Sequence, residues 1–278
     1  MKHSITRTRA LIRASHLGPS LAITAMITLL AAEAARRGSG PVLVAPAVLA
    51  GQVSIGWSND AFDAGRDAAA GRTDKPIPAG AVSRRAVGVA AVAALAVSLL
   101  LSLAIGEATG IVNAMMLAAG WAYNAGLKST LASGLMYVVG FGLIPAFAAS
   151  TLPGHPAPRP WITAAAATLG LGAHFANVLP DLAGDQATGV HGVPQRVAAR
   201  WGPAAVRATA LVLLLLASAA LALACSRSRL WLALAGLGAA VLLATIGARG
   251  SGRLPFLAAI GIAAIDVALF AAGGVTLA

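Results

Sequence analysis

The sequence is short of charge. Of its 278 residues only 20 are Lys or Arg and 9 are Asp or Glu, 10% together, less than half of the roughly 25% carried by a soluble domain. A soluble chain of this length needs a charged exterior, yet 58% of the residues are apolar and the mean hydropathy is +0.82. The solvent for most of the exterior is therefore lipid. Cysteine is nearly missing as well: Cys225 stands alone, which excludes a disulfide framework and a cysteine zinc site. No zinc finger, aromatic RNA-binding motif or basic helix with heptads occurs. The net charge of +11 is accordingly read as basic loops at an anionic membrane face, and nucleic acid is not expected as a partner. The few acids are unevenly placed. Asp60, Asp63, Asp67, Asp181 and Asp185 fall into two short clusters.

Long apolar runs are abundant. Nine stretches approach the roughly 20 residues needed to cross a bilayer, near 17–35, 41–58, 83–105, 109–125, 133–151, 160–179, 203–225, 230–248 and 254–275. Lys2, Arg7, Arg9 and Arg13 ahead of the run from Leu21 to Ala32 resemble a signal peptide, but with eight further spans the first helix is read as retained. Fifteen of the twenty basic residues fall on the face of the N-terminus and five on the other. The positive-inside rule then predicts a cytoplasmic N-terminus and an external C-terminus. A single polytopic all-α unit over 1–278 is expected.

The first acidic cluster, Asn59-Asp60-Ala61-Phe62-Asp63-Ala64-Gly65-Arg66-Asp67, follows the second span. At 100° per residue, Asn59, Asp60, Asp63 and Asp67 share one helical face. Three carboxylates so placed repel one another, and a hard cation held by oxygen ligands relieves the repulsion. Mg²⁺ is the usual choice, with water and phosphate completing its shell. The second cluster is Asp181-Leu182-Ala183-Gly184-Asp185, with Asn177 one turn earlier and Pro180 breaking the helix just before it. Arg72 and Lys75 follow the first cluster, and the fourth span ends in Tyr123-Asn124-Ala125-Gly126-Leu127-Lys128. By the loop count all three polar segments emerge at the cytoplasmic face. Acids that hold Mg²⁺ beside Arg and Lys make a receptor for a diphosphate. Ionising an allylic diphosphate needs such charges to stabilise the departing pyrophosphate, and an apolar cavity to keep the carbocation from water.

The run NDxxDxxxD at Asn59–Asp67, the basic-Pro-x-Pro-x-Gly stretch from Lys75 to Gly80, the Tyr-Asn-x-x-Leu-Lys at 123–128 and the DxxGD at 181–185 resemble the UbiA superfamily of intramembrane prenyltransferases. They occur in that family's order over essentially the whole chain. The resemblance implies nine transmembrane helices around a central cavity with a cytoplasmic polar cap, and two aspartate-rich motifs holding Mg²⁺ against a prenyl diphosphate. Position by position it implies metal ligation by Asn59, Asp60, Asp63 and Asp67 on one side and by Asp181 and Asp185 on the other. Arg72, Lys75 and Lys128 match positions that grip the diphosphate; Tyr123 and Asn124 line the pocket. Asp63, Asp67, Asp181, Asp185 and Lys128 are the catalytic candidates. The chain departs from the pattern in having Lys75 where Arg is frequent, and Gln186 where a basic residue often follows the second motif. An aromatic or quinone-precursor ring is the family's commonest acceptor, and the plasma membrane the expected location.

Other polar residues have two readings. His174 and Asn177 lie on the face leading to Asp181, as cavity lining or as helix contacts. Arg13 and His16 open the first span and are read as snorkelling to the cytoplasmic interface rather than touching an acceptor. Asp266, inside the ninth span, is an intramembrane acid and so a functional candidate, though remote in sequence from both motifs. His155 and His191 lack metal-ligand spacing. A terpene cyclase on the same scaffold is the nearest alternative. A transporter would require acids near the middle of several spans, where only Asp266 lies. A CDP-alcohol phosphotransferase would require an Asp-Gly-x-x-Ala-Arg pattern, which is absent.

Overall fold

The computed structural model describes residues 7–34, 42–250, 252 and 254–277, the backbone alone at 226–228. Lys2, Arg36, Arg37 and Arg253, which entered the count of basic residues, lie outside these. The described chain is all-helical, without strands. Its helices are α1 (Arg7–Ala14), α2 (Leu17–Ala34), α3 (Val44–Ala69), α4 (Arg84–Ile105), α5 (Glu107–Ala125), α6 (Ser133–Gly142), α7 (Ile144–Ser150), α8 (Pro160–Val178), α9 (Leu182–Ala187), α10 (Val193–Trp201), α11 (Pro203–Arg249) and α12 (Leu254–Ala272).

Among the described residues six segments are long and apolar enough to cross a membrane: Leu17–Ala34, Arg84–Ile105, Ser133–Ser150, Pro203–Cys225, Arg229–Arg249 and Leu254–Ala272. The other three expected spans form helices of sufficient length, α3 with 26 residues and α5 and α8 with 19 each. Composition, not length, separates them. They carry Asn59 to Asp67, Tyr123 and Asn124, and His174 and Asn177, so the helices that contribute most polar groups to the candidate site are the ones whose hydropathy is diluted. Large apolar side chains such as Leu100, Leu223 and Leu234 are exposed on the outside of the bundle, the inverse of a soluble fold.

The breaks have local causes. The expected span 133–151 is two helices, since Pro145 has no N–H to donate and interrupts the ladder at Leu143. α4 and α5 are separated by Gly106 alone. α11 holds two spans, divided at Arg229, whose backbone is non-helical (φ −150°, ψ 70°). Pro180 ends α8 before Asp181, as the sequence predicts.

Between helices the contacts are small residues and hydroxyl hydrogen bonds. Ser98 donates to the Ala47 carbonyl at 2.7 Å, Ser54 to the Ala91 carbonyl at 2.8 Å, and Asn113 donates to Ser98 and Ser102 at 3.0 and 2.9 Å. In lipid each such bond contributes about 0.6–2 kcal/mol. A deeper apolar cluster around Phe175, Val206, Leu214 and Ile262 joins α8, α11 and α12. The segments 70–83, 126–132 and 179–202 gather with α1 at one end of the bundle. At the other, the Arg159 amide donates to the Leu277 carbonyl at 2.8 Å.

Candidate active site

Two close approaches assemble the polar end. Gly56 lies under the turn between α1 and α2: a Cβ there would meet the Ser15 carbonyl oxygen at 2.2 Å. With no side chain at Gly56 the turn rests on α3, and His16, one residue on, reaches Asp60, one helical turn along. Trp57 fastens the same junction by donating to the Leu11 carbonyl at 2.8 Å. Gly192 plays the corresponding part at the start of α10, where a Cβ would come within 2.4 Å of the Lys128 carbonyl oxygen. The Ser133 hydroxyl accepts from the Val193 amide at 2.9 Å, so α6, α10 and the Lys128 turn form one unit.

Helix α3 runs unbroken through the first cluster, and its acids share a face as expected. Each is paired with a cation. Asp60 is 3% exposed and accepts from Lys75 Nζ at 2.6 Å, with His16 Nε2 at 3.0 Å. Lys75 also lies 3.7 Å from Asp67. Asp63 is held by Arg66 at 2.6 Å and by Lys128. Burial tends to raise the Asp60 carboxyl, but the His16 hydrogen bond and the Lys75 charge outweigh it and hold the group below the usual carboxylate range. At Asp67 burial prevails over Lys75, and the carboxyl is raised. Lys128 is lowered by burial despite the charge of Asp63.

The second cluster approaches the first through cations. Arg72 donates to both carboxylate oxygens of Asp74, at 2.9 and 3.0 Å, and with its remaining nitrogen to Asp181 at 3.2 Å. Asp185 accepts from Gln195 at 2.9 Å and lies within electrostatic reach of Arg66, Asp181 and Lys128. Burial raises its carboxyl, the Gln195 hydrogen bond opposing. Arg13 donates to the Asp74 carbonyl at 2.9 Å, so Arg13 and His16 reach toward the acidic groups rather than away from them.

Beneath the charges Asn124 donates to Ser58 at 2.8 Å and the Ile55 carbonyl at 2.9 Å, and accepts from Asn59 at 3.2 Å. Asn59 keeps its carbonyl oxygen for another partner. Tyr123, Tyr137 and His174 form an aromatic group with centroids 4.6–5.6 Å apart, and Asn177 donates to the Tyr137 hydroxyl at 3.1 Å. Thus Asn59, Asp60, Asp63, Asp67, Arg72, Lys75, Tyr123, Asn124, Lys128, Asn177, Asp181 and Asp185 all lie at or just below one end of the bundle. Asp266 does not. It is buried on α12, 3% exposed, in the span rather than at the polar end. His155 sits in a turn, its Nδ1 2.7 Å from the Ser150 carbonyl, and His191 is exposed.

Sequence reasoning missed Arg66, Gln195 and Tyr137. Arg66 was discoverable, because a position three residues after Asp63 on a helix faces it. Gln195 gave no signal: it is a neutral residue on a short helix, buried to 3% exposure.

Among the described residues no three His, Cys, Asp or Glu side chains converge on a single point. The donor set nevertheless fits a hard divalent cation bound together with phosphate. It consists of carboxylates and an amide oxygen without thiol, and such an ion takes only one or two carboxylates from the protein when phosphate supplies the rest.

Comparison with known proteins agrees with this fold. The pattern of the UbiA prenyltransferase family matches residues 20–274. No curated protein matches. Among solved structures, a UbiA homolog from Archaeoglobus fulgidus bound to GPP and Mg²⁺ superposes with a TM-score of 0.69 at 18% identity, covering 94% of this chain and 97% of that one. The same homolog bound to DMAPP and Mg²⁺ gives 0.70 at 16%, covering 93% and 96%. A digeranylgeranylglyceryl phosphate synthase gives 0.65 at 15%, covering 96% and 98%. A further structure of the homolog holds Cd²⁺.

Proposed function

The chain belongs to the UbiA prenyltransferase family, and on that premise we propose that it is an integral membrane enzyme that ionises a prenyl diphosphate with a divalent metal, Mg²⁺, and transfers the prenyl group to a small acceptor. The observation that carries this reading is the gathering of two acidic segments and four cationic side chains at one end of an apolar bundle. The relatives solved with GPP, DMAPP and Mg²⁺ support it. All nine long helical segments cross the membrane, the polar end faces the cytoplasm of the plasma membrane, and the C-terminus lies outside.

Asp63 and Asp67 on one side, and Asp181 and Asp185 on the other, would hold the metal, with the Asn59 carbonyl oxygen as a further ligand. A divalent ion held there would supply charge to neutralise the diphosphate and polarise the bond to the leaving oxygen. Asp60, sealed under His16 and Lys75, serves chiefly to position Lys75. When diphosphate binds, Lys128, Arg66 and Arg72 turn from carboxylate to phosphate oxygens. They then balance the charge that grows as the carbon–oxygen bond breaks and its electron pair leaves with pyrophosphate. Tyr123, Tyr137 and His174 lie below, where aromatic faces stabilise an allylic cation and exclude water. An electron pair of the acceptor, an aromatic or quinone-precursor ring, forms the new bond, and the acceptor loses a proton.

Purified protein with Mg²⁺ and a labelled prenyl diphosphate should release pyrophosphate, and Asp63→Ala and Asp181→Ala should abolish the release. Unchanged release in either variant refutes the assignment. Product formed without an added acceptor would identify cyclisation instead of transfer.

A further inference from the structure

Two guanidiniums at the polar end take no part in the site. Arg84 and Arg85 are the first residues of α4, after the N-cap Ser83, and both are exposed. Neither forms an ion pair among the described residues, whereas Arg66, Arg72, Lys75 and Lys128 all hold carboxylates. The first turn of α4 contains no acid. Two cations therefore sit at the helix end whose backbone N–H groups already present positive potential, an arrangement that an anion relieves.

From this pair a groove of about 900 Å³ descends the side of the bundle, with Phe62 and Trp121 on one wall and Gly88, Val92 and Ala96 along α4. Its volume lies within the roughly 300–1,000 Å³ of small-ligand sites. The α3 residues that line it, Ser58, Ala61 and Phe62, point about 180° away from Asp60, Asp63 and Asp67 around the helix, so the groove is separate from the acidic face. Its length is informative. From Arg84 to Ala96 the helix rises about 18 Å, close to the roughly 15 Å depth of one leaflet's hydrocarbon.

We propose that this groove binds one anionic phospholipid of the leaflet on the polar side. The lipid phosphate lies on Arg84 and Arg85, and one acyl chain runs between α3 and α4 against Phe62 and Trp121. The unpaired cations select the anionic headgroup, and the one-leaflet length selects a lipid standing in the bilayer. A prenyl diphosphate is disfavoured here, because the carboxylates that would bind its metal are on the opposite face of α3.

Native mass spectrometry of the full-length protein, taken from bilayers of equal phosphatidylglycerol and phosphatidylcholine, tests this. The wild type should retain phosphatidylglycerol over phosphatidylcholine by on the order of tenfold. The double variant Arg84→Gln with Arg85→Gln should lose that preference. In Gly88→Leu the added Cβ meets no atom within 4 Å, and the change favours the helix, so the variant folds while its side chain fills the groove. It should retain neither lipid. KM for prenyl diphosphate should be unchanged in all three, and the lipid readout stands whether or not turnover is observed. Equal retention of the two lipids by the wild type, or undiminished phosphatidylglycerol in both variants, overturns the proposal. So does a Gly88→Leu protein that keeps its lipid but shows a raised KM, since the groove then holds the prenyl tail.

Discussion

Arg72 Nη1 donates to Asp181 Oδ1 across 3.2 Å and so joins the loop after the first acidic segment to the second segment, 109 residues further along the sequence. Its other two nitrogens are fixed on Asp74. Arg72 is 36% and Asp181 57% exposed, and a pair so solvated adds less than about 1 kcal/mol to stability. Its effect is on geometry: before diphosphate binds, it ties the second motif to the loop that follows the first.

Arg72→Lys keeps the charge but cannot hold both acids, because an ammonium lacks the planar fork. For prenyl diphosphate kcat/KM should fall about 10–100-fold, the range for losing a group that orients metal ligands, with the thermal midpoint unchanged. Initial rates of pyrophosphate release across substrate concentrations measure it. A fall below twofold would mean that the motifs are spaced by their helices alone.

The Asp60–Lys75 pair should govern acid stability. The Asp60 carboxyl is held below its ordinary range, so its contribution is complete above about pH 4, the unfolded value, and is lost as pH falls through the folded value. Lys75 is raised, the charges of the acids outweighing burial, so its contribution persists through neutral pH. Asp60→Asn, which leaves Lys75 half-buried with only the longer contact to Asp67, should cost about 3 kcal/mol at pH 7 and flatten the decline below pH 4. Thermal unfolding in detergent at pH 7 and below pH 4 gives both numbers, and equal midpoints for the two proteins at pH 7 would contradict the assignment.

The acidic face of α3 was legible because helical periodicity and scarcity of charge act together: few residues are charged, and those few repeat every three or four positions. The breaks at Pro145 and Pro180 follow from missing donors, though only the second was anticipated. Partnership was not legible. Which cation each carboxylate meets cannot be read from a sequence: Asp60 and Asp67 share Lys75, and Asp63 takes Lys128 and Arg66. His16 lands on Asp60 because Gly56, forty residues further along, has no side chain, which is a fact of packing rather than of pattern. Gln195 likewise acts through burial. Hydropathy ranks α3, α5 and α8 below the six apolar segments because each carries polar side chains.

Those ion pairs bear on metal removal. Asp60, Asp63 and Asp67 are neutralised within the protein, so the fold does not depend on a cation as a structural zinc site does. Chelation with EDTA should abolish pyrophosphate release while moving the thermal midpoint by less than about 2 °C, a shift on the order of 1 kcal/mol or less. Added Mg²⁺ should restore the rate. Unfolding on chelation would assign the acids to structure instead.

Gly56 and Gly65 lie on the same helix and should respond oppositely to the same change. At Gly56 a methyl group would meet the Ser15 carbonyl oxygen at 2.2 Å, whereas at Gly65 nothing lies within 4 Å. Gly65→Ala should stabilise the protein by about 0.5–1 kcal/mol, the helical gain of alanine over glycine. Gly56→Ala should destabilise it by about 1–3 kcal/mol, the cost of overpacking, by lifting the α1–α2 turn off α3. That displacement also draws His16 from Asp60 and leaves Lys75 to hold the buried carboxylate alone, so the lysine is held back from the substrate and kcat for pyrophosphate release should fall in Gly56→Ala at temperatures where it remains folded. Thermal midpoints and single-turnover rates of the two variants separate these effects. If Gly56→Ala lost stability but kept its full rate, the His16–Asp60 contact would be a fastening of α1 alone, without influence on how Lys75 meets the substrate.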